Sequence, residues 1–204
     1  MLNIIQIVTD ALFPPRPDAN LLRQLTTSTE AALYKPAHYY GVVTLCEYGS
    51  PMVRALIHEN KYYYNTRAAT ALASLLQRWL CTQKHPLLLV AIPLSKKRYT
   101  ERGYNQVTEI LAKLPQSPNI VIAKNILTRT RDTASQTSLT RKQRLKNVTN
   151  VFTCDPTLLA KYAGYHLIII DDVATTGATM KAAQTAITPH LPPGATVTCL
   201  ALAH

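Results

Sequence analysis

Four apolar residues, Leu167-Ile168-Ile169-Ile170, run directly into two adjacent carboxylates, Asp171 and Asp172, and then into Val173-Ala174-Thr175-Thr176-Gly177-Ala178-Thr179. A short continuous apolar run reads as a strand buried on both faces of a parallel sheet. The acids then fall where that strand leaves the sheet, and in open α/β sheets this carboxyl edge is where ligands bind. Neighbouring carboxylates repel, and burying one unpaired is expensive, so the pair makes sense facing hydroxyl donors or a divalent cation. The small residues, hydroxyls and glycine of 174–179 stand at a helix start, where backbone N–H groups and the helix dipole favour phosphate. A solvated strand end followed by threonine capping would explain either half alone. The two halves in this order point to a phosphate and sugar-diol site.

The rest of the chain supplies a matching scaffold. Leu87-Leu88-Leu89-Val90-Ala91-Ile92 ends at Pro93 and reads as a second buried strand. Residues 66–80 have a helical period, with Ala68, Leu72, Leu75, Leu76 and Trp79 on one stripe. Residues 101–114 predict a second helix through Val107, Ile110, Leu111 and Leu114, stopped by Pro115. A strand is expected over 119–127, a long polar loop over 128–150, and a short strand at 151–153. After the strand at 166–170 come a helix at 177–187, closed by Pro189, and a last strand at 195–203. This alternation predicts an α/β fold with a parallel sheet and right-handed crossovers. Near the start, Phe13-Pro14-Pro15-Arg16-Pro17 favours an extended or turning path.

Composition narrows the function classes. At 204 residues one main domain with an appendage is expected. Twenty-two Lys and Arg against eleven Asp and Glu give a net charge of +11, which calls for polyanionic partners. No apolar run approaches the roughly 20 residues of a membrane span, and the N-terminus has no basic segment before its apolar stretch, so a cytoplasmic protein without membrane insertion is expected. Cys46, Cys81, Cys154 and Cys199 stand singly, which argues against zinc and disulfides. The histidines lack HxxxH or HExxH spacing, and GxGxxG, GxxxxGK[ST] and GxSxG are absent, against Rossmann, P-loop and hydrolase chemistry.

Residues 167–179 resemble the signature of type I phosphoribosyltransferases, an apolar strand followed by two acids and a Thr-Thr-Gly-x-Thr loop. The resemblance implies that fold: a mainly parallel twisted sheet flanked by helices, with an N-terminal extension or hood. It also implies that Asp171 and Asp172 hold the ribose of phosphoribosyl pyrophosphate (PRPP). Ala174, Thr175, Thr176, Gly177, Ala178 and Thr179 would hold its 5′-phosphate. The family's pyrophosphate loop follows its first core strand, which assigns that role here to Leu94, Ser95, Lys96 and Lys97, with Arg102 beside them.

Three further pieces narrow the match: Arg102-Gly103-Tyr104-Asn105-Gln106, then Arg129 with Thr133 and Gln136, then Arg141, Arg144 and Asn147 leading to Phe152. With the acid–threonine block, and with YGSPMVRALIHENK at 48–61, they resemble the ComF/GntX family of competence-associated proteins. Many members begin with a four-cysteine zinc module after a Phe-Pro step. Here Phe13-Pro14 leads to Arg16 and Ala19 without cysteine, so no zinc is expected. The implied organisation is an extension over 1–47 and a phosphoribosyltransferase-like domain over 48–204, with the hood expected within 50–65.

Residues 96–146 hold twelve Lys or Arg against three acids, nine of the eleven net charges. That surplus exceeds what one PRPP requires and suits a nucleic-acid backbone, although charge for solubility would look the same in a sequence. Arg98, Tyr104, Arg141, Lys142 and Arg144 are the expected nucleic-acid contacts, with Tyr99 and Tyr104 available to stack on bases. Tyr62, Tyr63 and Tyr64 read instead as half-buried packing.

The function implied is binding of PRPP and single-stranded DNA in DNA uptake or natural transformation, alongside competence-machinery proteins. One alternative is an active phosphoribosyltransferase acting on a nucleobase or related nitrogen nucleophile. There Asp171, Asp172 and Arg129 would be catalytic, Lys96, Lys97, Arg102 and Arg129 would steady the leaving group, and Mg²⁺ would ride on the pyrophosphate rather than in a protein-only site. The other alternative is a PRPP-sensing regulator.

Overall fold

The apolar runs that open the two halves of the core lie side by side as parallel strands, Leu87 opposite His166 through Ala91 opposite Ile170. They belong to a computed structural model that describes residues 16–130 and 151–204. From the N-terminal side its elements are α1 (Pro17–Arg23), α2 (Thr27–Leu33), β1 (Ala37–Tyr39), β2 (Val42–Cys46), α3 (Pro51–Tyr63) and α4 (Thr66–Leu80). Next come β3 (Leu87–Ala91), α5 (Lys96–Arg102), α6 (Gln106–Leu111), β4 (Ile120–Ala123) and β5 (Leu127–Arg129). The last are β6 (Phe152–Cys154), α7 (Pro156–Ala160), β7 (His166–Val173), α8 (Ala178–Ile187) and β8 (Val197–Ala203).

Six strands form the main sheet in the order β1-β2-β8-β7-β3-β4, parallel except for the β1–β2 pair. The chain moves outward from β3 to β4, crosses back to β7, and continues the other way to β8. The direction reverses between β3 and β7, which makes that gap the topological switch point where open α/β sheets bind ligands.

Alternate residues of the central strands face opposite layers. Leu87, Leu89, Ile168, Ile170, Leu200 and Leu202 pack with α1, α3, α4 and α6. Leu88, Val90, Leu167, Ile169, Cys199 and Ala201 pack with α7, α8 and the β5–β6 hairpin. Covering both faces is why these strands read as unbroken apolar runs. The boundary expected at residue 47 falls between β2, a strand of the main sheet, and α3. Buried Cys46 and Cys199 behave as small apolar residues, their thiols pushed up to about 12 and about 11 by desolvation, whereas Cys81 is exposed. Among the described residues no helix is long and apolar enough to cross a membrane.

Local chemistry overrides the sequence periodicity in three places. The helix expected over 101–114 is two helices, because Gly103 at φ +77° ends α5 and Asn105 caps α6, accepting from the N–H groups of Val107 and Thr108. The strand expected over 119–127 stops at Ala123, and Asn125, at φ +64°, turns the chain into β5. The strand expected at 166–170 runs on through both aspartates, because β8 continues beside it and pairs Asp171 with Ala201 and Val173 with Ala203.

Candidate functional site

A cavity of about 650 Å³ opens at the carboxyl ends of β3 and β7, inside the roughly 300–1,000 Å³ range of small-molecule sites. Asp172 is its buried hub. Its Oδ2 lies 3.2 Å from Lys61 Nζ near the end of α3 and accepts from Gln106 Nε2 at 3.2 Å, while Oδ1 accepts from the Val173 N–H at 2.9 Å. Gln106 Oε1 in turn accepts from Arg102 Nη1 at 2.9 Å. The row Arg102, Gln106, Asp172, Lys61 therefore ties three helices, α5, α6 and α3, to the end of β7. Asp171 is acted on by Lys61 too, but more weakly than by burial and the neighbouring acid. Its Oδ1 accepts from the Asp172 N–H at 2.8 Å, and desolvation, then the Asp172 charge, hold its carboxyl well above the usual carboxylate range. The two acids thus differ: Asp172 is ion-paired to Lys61, whereas for Asp171 desolvation and the Asp172 charge outweigh that cation.

The threonine-rich turn follows from backbone conformation. Gly177 adopts φ +68° as the N-cap of α8, a region glycine enters without strain. A Cβ there would meet Tyr40 and Val42 only at ordinary contact, 3.5 Å, so the conformation rather than crowding selects glycine. No side chain caps α8, and the Ala178 N–H makes only a long 3.5 Å contact with Thr176 Oγ1. The helix start thus keeps donors for an anion. Thr175 and Thr179 face the cavity from this turn. Beside it, His204 Nδ1 donates to the Ala174 carbonyl at 2.7 Å, with the ring tilted 38° against Tyr39 at a centroid distance of 3.9 Å. The facing wall carries Ile92, Pro93, Leu94, Arg98 and Arg129, the last with its guanidinium 5.5 Å from the Phe152 ring centroid.

Of the residues singled out in the sequence, Asp171, Asp172, Ala174, Thr175, Thr179, Leu94, Arg98 and Arg129 line this one cavity. Thr176, Gly177 and Ala178 belong to the turn but not to the lining. Ser95 caps α5, accepting from the Arg98 N–H, so Lys96 and Lys97 form the helix's exposed first turn, with Lys97 4.0 Å from Glu101. Arg102 turns to Gln106 and to the Tyr62 ring. Tyr104 is a brace: its hydroxyl donates to the Asn60 carbonyl and accepts the Tyr64 N–H. Tyr62, Tyr63 and Tyr64 are half-exposed. Arg141, Lys142 and Arg144 lie outside the described residues.

Four lining residues escaped the sequence reading: Tyr48, Lys61, Gln106 and His204. Three of them sat inside stretches already set apart, 48–61 and 102–106. Those stretches meet in space, Asn60 Nδ2 donating to the Gln106 carbonyl at 3.0 Å, and that contact was not legible from either stretch alone.

Sheet order and site define the class: a mostly parallel α/β protein with a ligand-sized cleft at its switch point, floored by paired acids. The chain is 32 % identical over 154 residues to DNA utilization protein YhgH of Escherichia coli K12, a match covering 72 % of this chain and 66 % of that protein. It is 31 % identical over 154 residues to the protein of the same name in Salmonella typhi, with the same coverage. It is also 31 % identical over 97 residues to competence protein F of Haemophilus influenzae, covering 48 % of this chain and 42 % of that one. No protein-family model matches the chain. On the strength of these relatives it belongs to the ComF/GntX family.

Proposed function

We propose that the cavity binds PRPP with Mg²⁺, on a type I phosphoribosyltransferase fold, in a protein that serves DNA utilization or uptake. The observation that carries this reading is the convergence on one cavity of Asp171, Asp172, the uncapped start of α8, and Arg98 and Arg129. Each part answers one part of the ligand. The acids accept from the ribose hydroxyls, the N–H groups of the 174–179 turn receive the 5′-phosphate, and the arginines face the diphosphate. Among the described residues no three His, Cys, Asp or Glu side chains cluster to hold a metal ion. Mg²⁺ would ride on the diphosphate oxygens, and its chemistry would be to neutralise their charge.

The relatives named for DNA utilization and competence support a role with DNA. Single-stranded DNA would meet the basic block beside the cavity, beginning with exposed Lys96, Lys97 and Tyr99 on α5. Turnover is the second reading. Arg98 and Arg129 share the cavity with the acids, positive charge positioned for a leaving diphosphate.

Calorimetric titration of the protein with Mg²⁺–PRPP, followed by a diphosphate-release assay with a panel of nucleobases, tests these readings. Binding with release establishes a transferase, and binding without release a PRPP-dependent binder or sensor. Absence of binding overturns the proposal.

A further inference from the structure

A second cavity, of about 430 Å³, opens at the carboxyl ends of β3 and β4. Consecutive residues part it from the first. Ile92, Arg98 and Gln106 line the first, Ala91, Tyr99 and Asn105 line the second, and Pro93 borders both. The stretch from the end of β3 to the start of α6 is therefore a shared wall between two compartments.

Their chemistry differs. Both helices of that wall begin on side-chain caps, Ser95 taking the Arg98 N–H and Asn105 the N–H groups of Val107 and Thr108, whereas α8 beside the first cavity starts uncapped. The second lining carries one acid, Glu109, which would repel phosphate. Its floor is apolar, with Ala91, Leu111 and the 39 % exposed Ile122. The interior thus suits a flat neutral group, not an anion. Tyr99 supplies a face for one: its ring is 56 % exposed and meets no other ring or cation among the described residues. Open polar groups stand around it. Among the described residues the Thr108 hydroxyl, the Lys124 ammonium and the Asn125 amide of this lining have no side-chain partner. An amide offers donor and acceptor side by side, which matches the edge of a nucleobase. Phosphates would be met outside, by Lys124 and by Lys96 and Lys97 on the exposed first turn of α5. Resting on the DNA reading above, we propose that the second cavity takes an unstacked base of a single strand, its face on Tyr99 and its edge at Asn125.

The test is fluorescence anisotropy of the full chain with oligothymidylate, oligodeoxyadenylate and an abasic strand of the same length and charge. At least one base-bearing strand is expected to bind about tenfold tighter than the abasic one. Tyr99→Ala should erase that advantage and leave abasic affinity and the salt slope unchanged, because the ring neutralises no phosphate. Tyr99→Trp should keep the advantage. Asn125→Gly tolerates the φ of +64° and should cut the advantage about threefold. Thermal melts show whether each variant folds, and the two positions lie on different elements, so a folding defect at one leaves the other decisive. Equal wild-type affinity for base-bearing and abasic strands overturns this inference and spares the DNA reading. So does a Tyr99→Ala loss shared equally by the abasic strand, which would put the ring against the sugar-phosphate backbone. Failure of every strand to bind the wild-type chain overturns the DNA reading itself.

Discussion

Lys61 Nζ stands 3.2 Å from Asp172 Oδ2, with side chains only 23 % and 7 % exposed. A strand ending in two neighbouring carboxylates places like charges where water is scarce, and this ammonium, brought from α3, offsets one of them. Replacing Lys61 with Met strands a buried carboxylate. A loss of about 3 kcal/mol is expected, or roughly 6–12 °C in Tm. Adding Asp172→Asn should recover much of it in urea melts. Losses that simply add would show that the pair is not coupled.

Asp171 makes the opposite case. Its carboxyl keeps its proton to higher pH in the folded chain than in the unfolded one, from desolvation first and the Asp172 charge second. Between the ordinary carboxylate range and that raised value the native state binds more protons, so stability falls as pH rises through the window. Asp171→Asn removes the penalty. It should raise Tm by about 3 °C at pH 7.5 and by nothing near pH 4, checked by thermal melts at both values. A lowered Tm at pH 7.5 would mean that the carboxylate is stabilising in the free protein.

Glu59 shows the ordinary sign. Arg16 donates to it through Nε at 2.9 Å and Nη2 at 2.8 Å, and Asn65 adds a third bond at 2.9 Å. Its carboxyl sits below its usual value, chiefly through the Arg16 hydrogen bonds, and the stabilisation is present at neutral pH and lost as pH falls through the folded value. Arg16→Ala should destabilise by about 2–4 kcal/mol at pH 7, by leaving a buried charge short of its partner. The difference from wild type should shrink below pH 4. A pH-independent difference in urea melts would assign the effect to lost packing of Arg16 on Tyr63, 3.6 Å away.

Single-stranded DNA affinity should fall steeply with salt, with a logarithmic slope near −0.7 for each phosphate neutralised. Changing Arg141, Lys142 and Arg144 to Ala should weaken binding and flatten that slope. Flat salt dependence in fluorescence anisotropy would remove DNA from the account.

The core strands and the acid–threonine turn were legible because each is contiguous in the chain: an apolar run, a charge pair and a glycine at a helix start are local signals. The supporting shell was not. Lys61 and Gln106 reach Asp172 from helices 111 and 66 residues away in sequence, and their side chains are as consistent with a solvated face as with a buried one. His204 offered no spacing to any other histidine. Gly103 and Asn105 were visible as letters, yet the apolar period around them read as one helix, because a cap shows itself only in the backbone angle it permits. Where a signal required two distant segments at once, the single sequence held both halves and not their meeting.

The central claim is that Asp171 and Asp172 face a phosphorylated ribose. It is tested most directly by titrating Mg²⁺–PRPP into Asp171→Asn, the variant expected to fold at least as well as wild type. A loss of roughly 100-fold in affinity, with an unaltered circular dichroism spectrum, is the expected result. Affinity within about twofold of wild type, less than 0.5 kcal/mol, would contradict it.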